Sequence, residues 1–205
     1  MRTLNKETQQ EISPKQALEI LKEGNKRFVQ NLQLHRNLLE QVNDTVEGQW
    51  PFAVILSCID SRTSAELIFD QGLGDIFSVR IAGNIINEDI LGSMEFACKI
   101  AGSKFIMVLG HSRCGAIKGA CDHVEMGHLS TLLAKIQPAV QEETTTIANR
   151  TADNPVFVEN VSRINVLRSV QEILDRSNIL REMVEEGKIG IAGAMYDVAS
   201  GKVEF

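Results

Sequence analysis

The chain has 205 residues, 43% hydrophobic and 23% charged, a balance that fits one globular domain with a real core and leaves no room for extended disorder. Its formal net charge of −6 argues against nucleic acid as a partner, because phosphate binding needs a concentrated basic surface. No apolar run approaches the roughly 18 residues that cross a bilayer, the N-terminus has no apolar signal core, and four cysteines are too few for a disulfide framework, so a cytoplasmic protein with reduced thiols and no membrane partner is expected.

In chain order, Ser13-Pro14-Lys15-Gln16 is a helix start, with a Ser cap, Pro at the first helical position and Gln placed to close a capping box. Ala17, Leu18, Ile20, Leu21, Phe28 and Leu32 follow at helical spacing. A second amphipathic helix is predicted over about 35–46, ended by Gly48-Gln49-Trp50-Pro51. Strands are predicted at 52–57, 76–81, 105–109 and 189–195, short and apolar without strict alternation, the pattern of strands buried on both faces. Helical patterns lie between them at 64–69, 88–101, 115–123, 129–143 and 157–175. This alternation implies an α/β fold: a mainly parallel central sheet of about four strands covered by helices. The tail turns at Ser200-Gly201 into one antiparallel C-terminal strand. The chain reads as a single domain, 1–205, with an N-terminal helical arm at 1–47 and an α/β core at 48–205.

The chemistry gathers where two strands stop. The first runs into Cys58-Ile59-Asp60-Ser61-Arg62, and in an extended chain Cys58, Asp60 and Arg62 point the same way. The third ends in Gly110-His111-Ser112-Arg113-Cys114-Gly115. Cys58, His111 and Cys114 make a soft metal site: two thiolates and an imidazole suit zinc, one ion per chain, and three protein ligands leave a fourth position for water. Ligands of open parallel sheets gather outside the carboxyl ends of the strands, so one crevice can receive both segments. Two thiolates cancel the charge of the ion, and water there is acidified less than at a three-histidine site. Asp60, kept ionised by a forked pair with Arg62, can orient that water. Asp60 is also close enough in sequence to swing onto the metal.

CIDSR and HSRC, with DQGLGDIFSVRIAGN between them and GNKRF in the first helix, resemble the beta-class carbonic anhydrases, and the resemblance covers the whole chain. It implies zinc-dependent reversible hydration of carbon dioxide to bicarbonate and a proton by attack of zinc-bound hydroxide, with Asp60 and Arg62 catalytic. It also implies an open site alternating with a closed one, in which Asp60 binds the metal and the arginine is released. By position, Gln49 resembles the amide donor to substrate, Phe77, Val79 and Phe96 the apolar walls, and Gly115 the backbone beside the metal. The N-terminal helices are expected to lie across a partner in a homodimer or tetramer, with the active sites at the interface.

Two departures stand out. Thr63 replaces a frequent Val, which makes the surroundings of the metal more polar, and Ile55 stands where the bicarbonate-regulated branch has tryptophan, which weakens the case for a noncatalytic bicarbonate site. The alternatives are the same metal chemistry on COS or CS2, and a noncatalytic structural zinc protein with Asp60 as permanent fourth ligand. Cys98 and Cys121 read as packed hydrophobes, and His35, His123 and His128 as surface or cap residues.

Overall fold

The computed structural model describes residues 3–205. Helices α1 (Lys6–Glu11) and α2 (Pro14–Val29) each begin with a reciprocal capping box, Asn5 with Thr8 and Ser13 with Gln16. They are followed by α3 (Leu38–Asp44), β1 (Ala53–Ser57), α4 (Ala65–Ile68) and β2 (Ile76–Arg80). A 3-10 turn at Ala82–Asn84 leads into α5 (Glu88–Glu95), which runs on as a π-turn through Phe96–Ile100. Then come β3 (Phe105–His111), α6 (Gly115–Cys121), α7 (Gly127–Ala134), α8 (Gln137–Glu142), α9 (Pro155–Arg176), α10 (Asn178–Glu185), β4 (Gly190–Tyr196) and β5 (Val203–Glu204). No helix of the described residues is long and apolar enough to cross a membrane.

The sheet order is β2-β1-β3-β4-β5; the first four strands are mutually parallel and β5 is antiparallel to β4. Strand periodicity sorts the core into two layers. Ala53, Ile55, Met107 and Leu109 pack with Ala17 and Leu21 of α2 and Ile68 of α4. Val54, Leu56, Ile106 and Val108 face Ile90 and Met94 of α5, Val166 and Ile173 of α9, and Leu180 of α10. Each buried Val, Leu, Ile or Met among them stabilises the fold by about 1.5–3 kcal/mol. A third cluster, with Ile117, Leu133, Ala139, Phe157 and Val161, covers the carboxyl end of the sheet. The chain steps from β1 to β2 on one side and places β3 on the other, and that reversal opens a crevice at the carboxyl ends of β1 and β3.

Several expectations need correction. Burial on both faces holds for β1 and β3 but not for β2, an edge strand whose residues alternate in exposure, nor for the first half of β4. The helix expected over 129–143 is two, α7 and α8, broken just before Pro138, which lacks an N–H and crowds the preceding turn. The helix expected at 35–46 shrinks to α3, and α1 and α10 were not anticipated.

The N-terminal arm is tied to the core. Helix α2 lies on its own sheet, with Ala17 and Leu21 fully buried. Its Gly24 sits where a Cβ would come within 1.8 Å of the Phe69 carbonyl oxygen, so only glycine lets the helix approach α4 this closely. Asn25 donates to the carbonyls of Ile68 and Gly201 and accepts from the Val203 N–H. Arg27 and Arg36 converge on buried Asp70. Burial pushes that carboxyl up, and the two guanidiniums with the Leu34 N–H outweigh it, holding the group below the usual carboxylate range. Within the arm, α3 keeps an apolar stripe turned outward: Leu38, Leu39 and Val42, with Val46 just beyond.

Candidate metal centre

Cys58 is the first residue past β1, His111 the last of β3, and Cys114 the cap residue of α6, so two strand ends and a helix start converge. The two sulfurs are 3.9 Å apart. Both sulfurs and an imidazole nitrogen lie within 4.8 Å of one another, and all three residues are buried. A tetrahedral zinc with thiolates at about 2.3 Å would hold its sulfurs about 3.8 Å apart, so the gap suits that ion. His111 Nδ1 lies 3.0 Å from the Ser112 carbonyl, which can only accept, so Nδ1 carries the proton. Nε2 is then a buried lone pair with no protein partner, the form of imidazole that ligates metals.

Electrostatics agree. The Cys114 sulfur, 3.9 Å away, is the main reason the Cys58 pKa is lowered despite burial, with help from the Gly83 N–H. Cys114 is pushed up by the same neighbour and by burial. Two sulfurs this close share one proton between them, and a cation bound there would displace it.

Asp60 is held beside this cluster by a fork. Arg62 Nε and Nη2 donate to its two oxygens at 2.9 and 2.8 Å, and the Arg62 N–H adds a third bond at 3.0 Å. That fork is the main reason the Asp60 carboxyl sits at about 2. The side chains are 17% and 50% exposed respectively, so the pair opens to solvent. The loop is braced from below: Arg80 donates to the carbonyls of Cys58 and Asp60 at 3.0 and 2.6 Å. Thr63 bonds the same two carbonyls at 3.0 and 2.8 Å, so its hydroxyl is engaged by the loop instead of adding polarity at the metal. Gly115 opens α6, and a Cβ there would meet nothing within 4 Å, so its backbone borders open space beside Cys114.

The other expected pocket residues lie elsewhere on this chain. Phe77 and Phe96 pack edge to face at 6.3 Å and, with Val79, line a shallow cleft along β2 and α5 that none of the three ligand residues borders. Gln49 is exposed at the amino end of β1, about 16 Å of strand from Cys58. Cys98 and Cys121 pack in separate clusters, where burial raises them to about 12 and about 11, and the three remaining histidines are exposed. Sequence reasoning missed Arg80, although a charged residue closing an apolar strand was a usable signal. It also missed Gly83, whose N–H donates to Cys58 Sγ at 3.4 Å.

The carbonic anhydrase family model matches residues 53–203. Carbonic anhydrase 2 of Mycobacterium tuberculosis is 35% identical over 93% of this chain and 91% of its own length. A carbonic anhydrase of Mycolicibacterium smegmatis is 34% identical over 94% of this chain and 93% of its own. A tetrameric beta-carbonic anhydrase of the ascomycete Sordaria macrospora superposes with a TM-score of 0.69 at 25% identity, covering 77% of this chain and 81% of that one. With the family's length matched, its fold reproduced and the Cys/His/Cys cluster assembled in its crevice, the chain belongs to the carbonic anhydrase family, in its beta class.

Proposed function

We propose that the chain catalyses the reversible hydration of carbon dioxide to bicarbonate and a proton, with one zinc ion per chain held by Cys58, His111 and Cys114. The observation that carries this reading is the donor set: two sulfurs at tetrahedral spacing and a buried imidazole nitrogen with no other partner. When bound, zinc would supply the Lewis acidity that makes a water reactive near neutral pH.

The remaining work falls to side chains. Asp60 accepts a hydrogen bond from the attacking water and aims its lone pair at the carbon, and Arg62 fixes that carboxylate in place. A carboxyl at about 2 cannot store a proton at neutral pH, so Asp60 orients the water and the released proton leaves to buffer. One C–O bond forms, one O–H bond breaks, and bicarbonate departs.

Gln49, Phe77, Val79 and Phe96 are assigned to the substrate pocket through a second copy of the chain. Gln49 stands at the wrong end of its own β1, and the aromatic pair lines an exposed edge, so each can serve a centre only across an interface. Gly115 serves its own. The free outer edge of β2 and outward Leu39, 71% exposed, supply contact surface for a homodimer or higher oligomer. The reduced thiols the site requires support a reducing compartment such as the cytoplasm.

Metal analysis of purified wild type and Cys114→Ala tests the assignment: about one zinc per chain in the first and little in the second. Full zinc retention by the variant would remove Cys114 from the site.

A further inference from the structure

The turn Ala82–Asn84 is held in a strained shape. Gly83 (φ 67, ψ 17) and Asn84 (φ 43) are both left-handed, a region a non-glycine residue occupies at a cost. A Cβ on Gly83 would come within 2.7 Å of Ile136 Cδ1 and 3.2 Å of Ala116 Cβ, so the turn is pressed against the cluster that surrounds the metal centre. In this shape the Gly83 N–H points at Cys58 Sγ.

Two side chains of α9, four residues apart and so on one face of the helix, grip successive carbonyls of the turn. Asn165 Nδ2 donates to Gly83 O at 2.9 Å, and Ser169 Oγ donates to Asn84 O at 3.1 Å. Asn165 is only 4% exposed and lies on a helix that also buries Val161, Ser162, Val166, Ser169 and Ile173. An apolar residue there would pack without the desolvation cost of an amide, so the asparagine needs a reason beyond packing.

We infer that Asn165 is a positioning residue of the metal centre: by holding the carbonyl of the Gly83–Asn84 peptide it fixes the left-handed backbone of Gly83, which keeps the N–H of the preceding peptide on Cys58 and sets the orientation of a metal-binding sulfur. The inference rests on the zinc reading above and adds to it a residue of α9 that touches neither ligand nor substrate. Partners one shell out from a metal contribute about 10- to 100-fold to metal affinity.

The test is chelator competition for zinc in wild type, Asn165→Ala and Asn165→Leu, the last keeping about the same volume but having no donor for a carbonyl. Ile173→Ala, which removes buried packing from the same helix away from the turn, is the stability control, and melting of the metal-free proteins is followed in parallel. Both Asn165 variants should bind zinc about tenfold or more weakly. In cobalt-loaded protein their thiolate-to-metal charge-transfer band should move to longer wavelength, because a sulfur without its N–H holds its electrons less tightly. Ile173→Ala should melt earlier and keep wild-type affinity. Wild-type affinity and an unmoved cobalt band in both Asn165 variants would overturn the inference, as would an equal loss of affinity in Ile173→Ala. A wild type that binds no zinc would overturn the zinc reading and the inference with it, a result distinguishable from variants that match a zinc-binding wild type.

Discussion

Replacing Arg62 by alanine separates what the arginine does from what the metal does. The substitution deletes both arms of the fork on Asp60 and touches neither Cys58, His111 nor Cys114. Without the fork the Asp60 carboxyl rises from about 2 toward the ordinary aspartate value of about 3.9, with burial pulling it up and the remaining backbone N–H holding it down. At pH 7 about one molecule in a thousand would then be protonated, so ionisation is not what is lost. What is lost is orientation: a half-buried carboxylate freed from both arms of the fork, and held only by the backbone N–H of residue 62, can turn away from the water or onto the metal. Zinc-loaded Arg62→Ala should therefore hydrate carbon dioxide about 10- to 100-fold more slowly than wild type, the range set by outer-shell partners. Arg62→Lys should fall between, since an ammonium keeps the charge and loses the planar fork. The melting temperature should barely move, because the arginine side chain is half exposed. The deficit should be the same at neutral and mildly alkaline pH. Stopped-flow hydration at matched zinc content reads all of this. Turnover within twofold of wild type, or a deficit that vanishes as pH rises, would refute the orienting role.

Asp70→Asn should destabilise the chain by about 3 kcal/mol, because Arg27 and Arg36 would be left facing a neutral amide in a largely buried site. The native Asp70 carboxyl is depressed, so its contribution is complete above the unfolded value of about 3.9 and is lost as pH falls through the lower folded value. Urea unfolding should give a full gap between wild type and variant near neutral pH and a shrinking gap below about pH 4; a gap constant with pH would contradict the pairing. In sedimentation, wild type should run well above the 22.7 kDa of one chain, and Leu39→Glu on the outward stripe of α3 should shift it toward the monomer. A compact, active wild-type monomer would rule out the shared pocket.

The metal-binding segments were legible because each follows an uninterrupted apolar strand, and the rule that ligands gather at carboxyl strand ends then joins them without knowledge of the pairing. Asp60 and Arg62 were legible for a related reason, their spacing within one loop. The edge position of β2 was written in Ser78 and Arg80, polar residues at alternate positions, but the apolar Ile76, Phe77 and Val79 drew the reading toward full burial. Pro138 marked the break between α7 and α8 and was passed over. Other features had no local signal. Asn165 and Ser169 meet carbonyls 82 and 85 residues away, and nothing in their neighbourhood names those partners. The apolar stripe of α2 looked unpartnered because its sheet comes later in the chain, whereas folding brings Ala53 and Phe105 under Ala17 and Leu21. For Gln49, position within the family resemblance suggested a donor, and only the fold shows it at the opposite end of β1 from Cys58.

The most direct test is carbon dioxide hydration followed by stopped flow in metal-depleted protein titrated with zinc. Activity should be absent at the start, rise linearly, and level off at about one zinc per chain, with Cys114→Ala gaining none over the same additions. Protein that takes up one zinc per chain through Cys58, His111 and Cys114 and still leaves hydration at the uncatalysed rate, from neutral to mildly alkaline pH, would contradict the account.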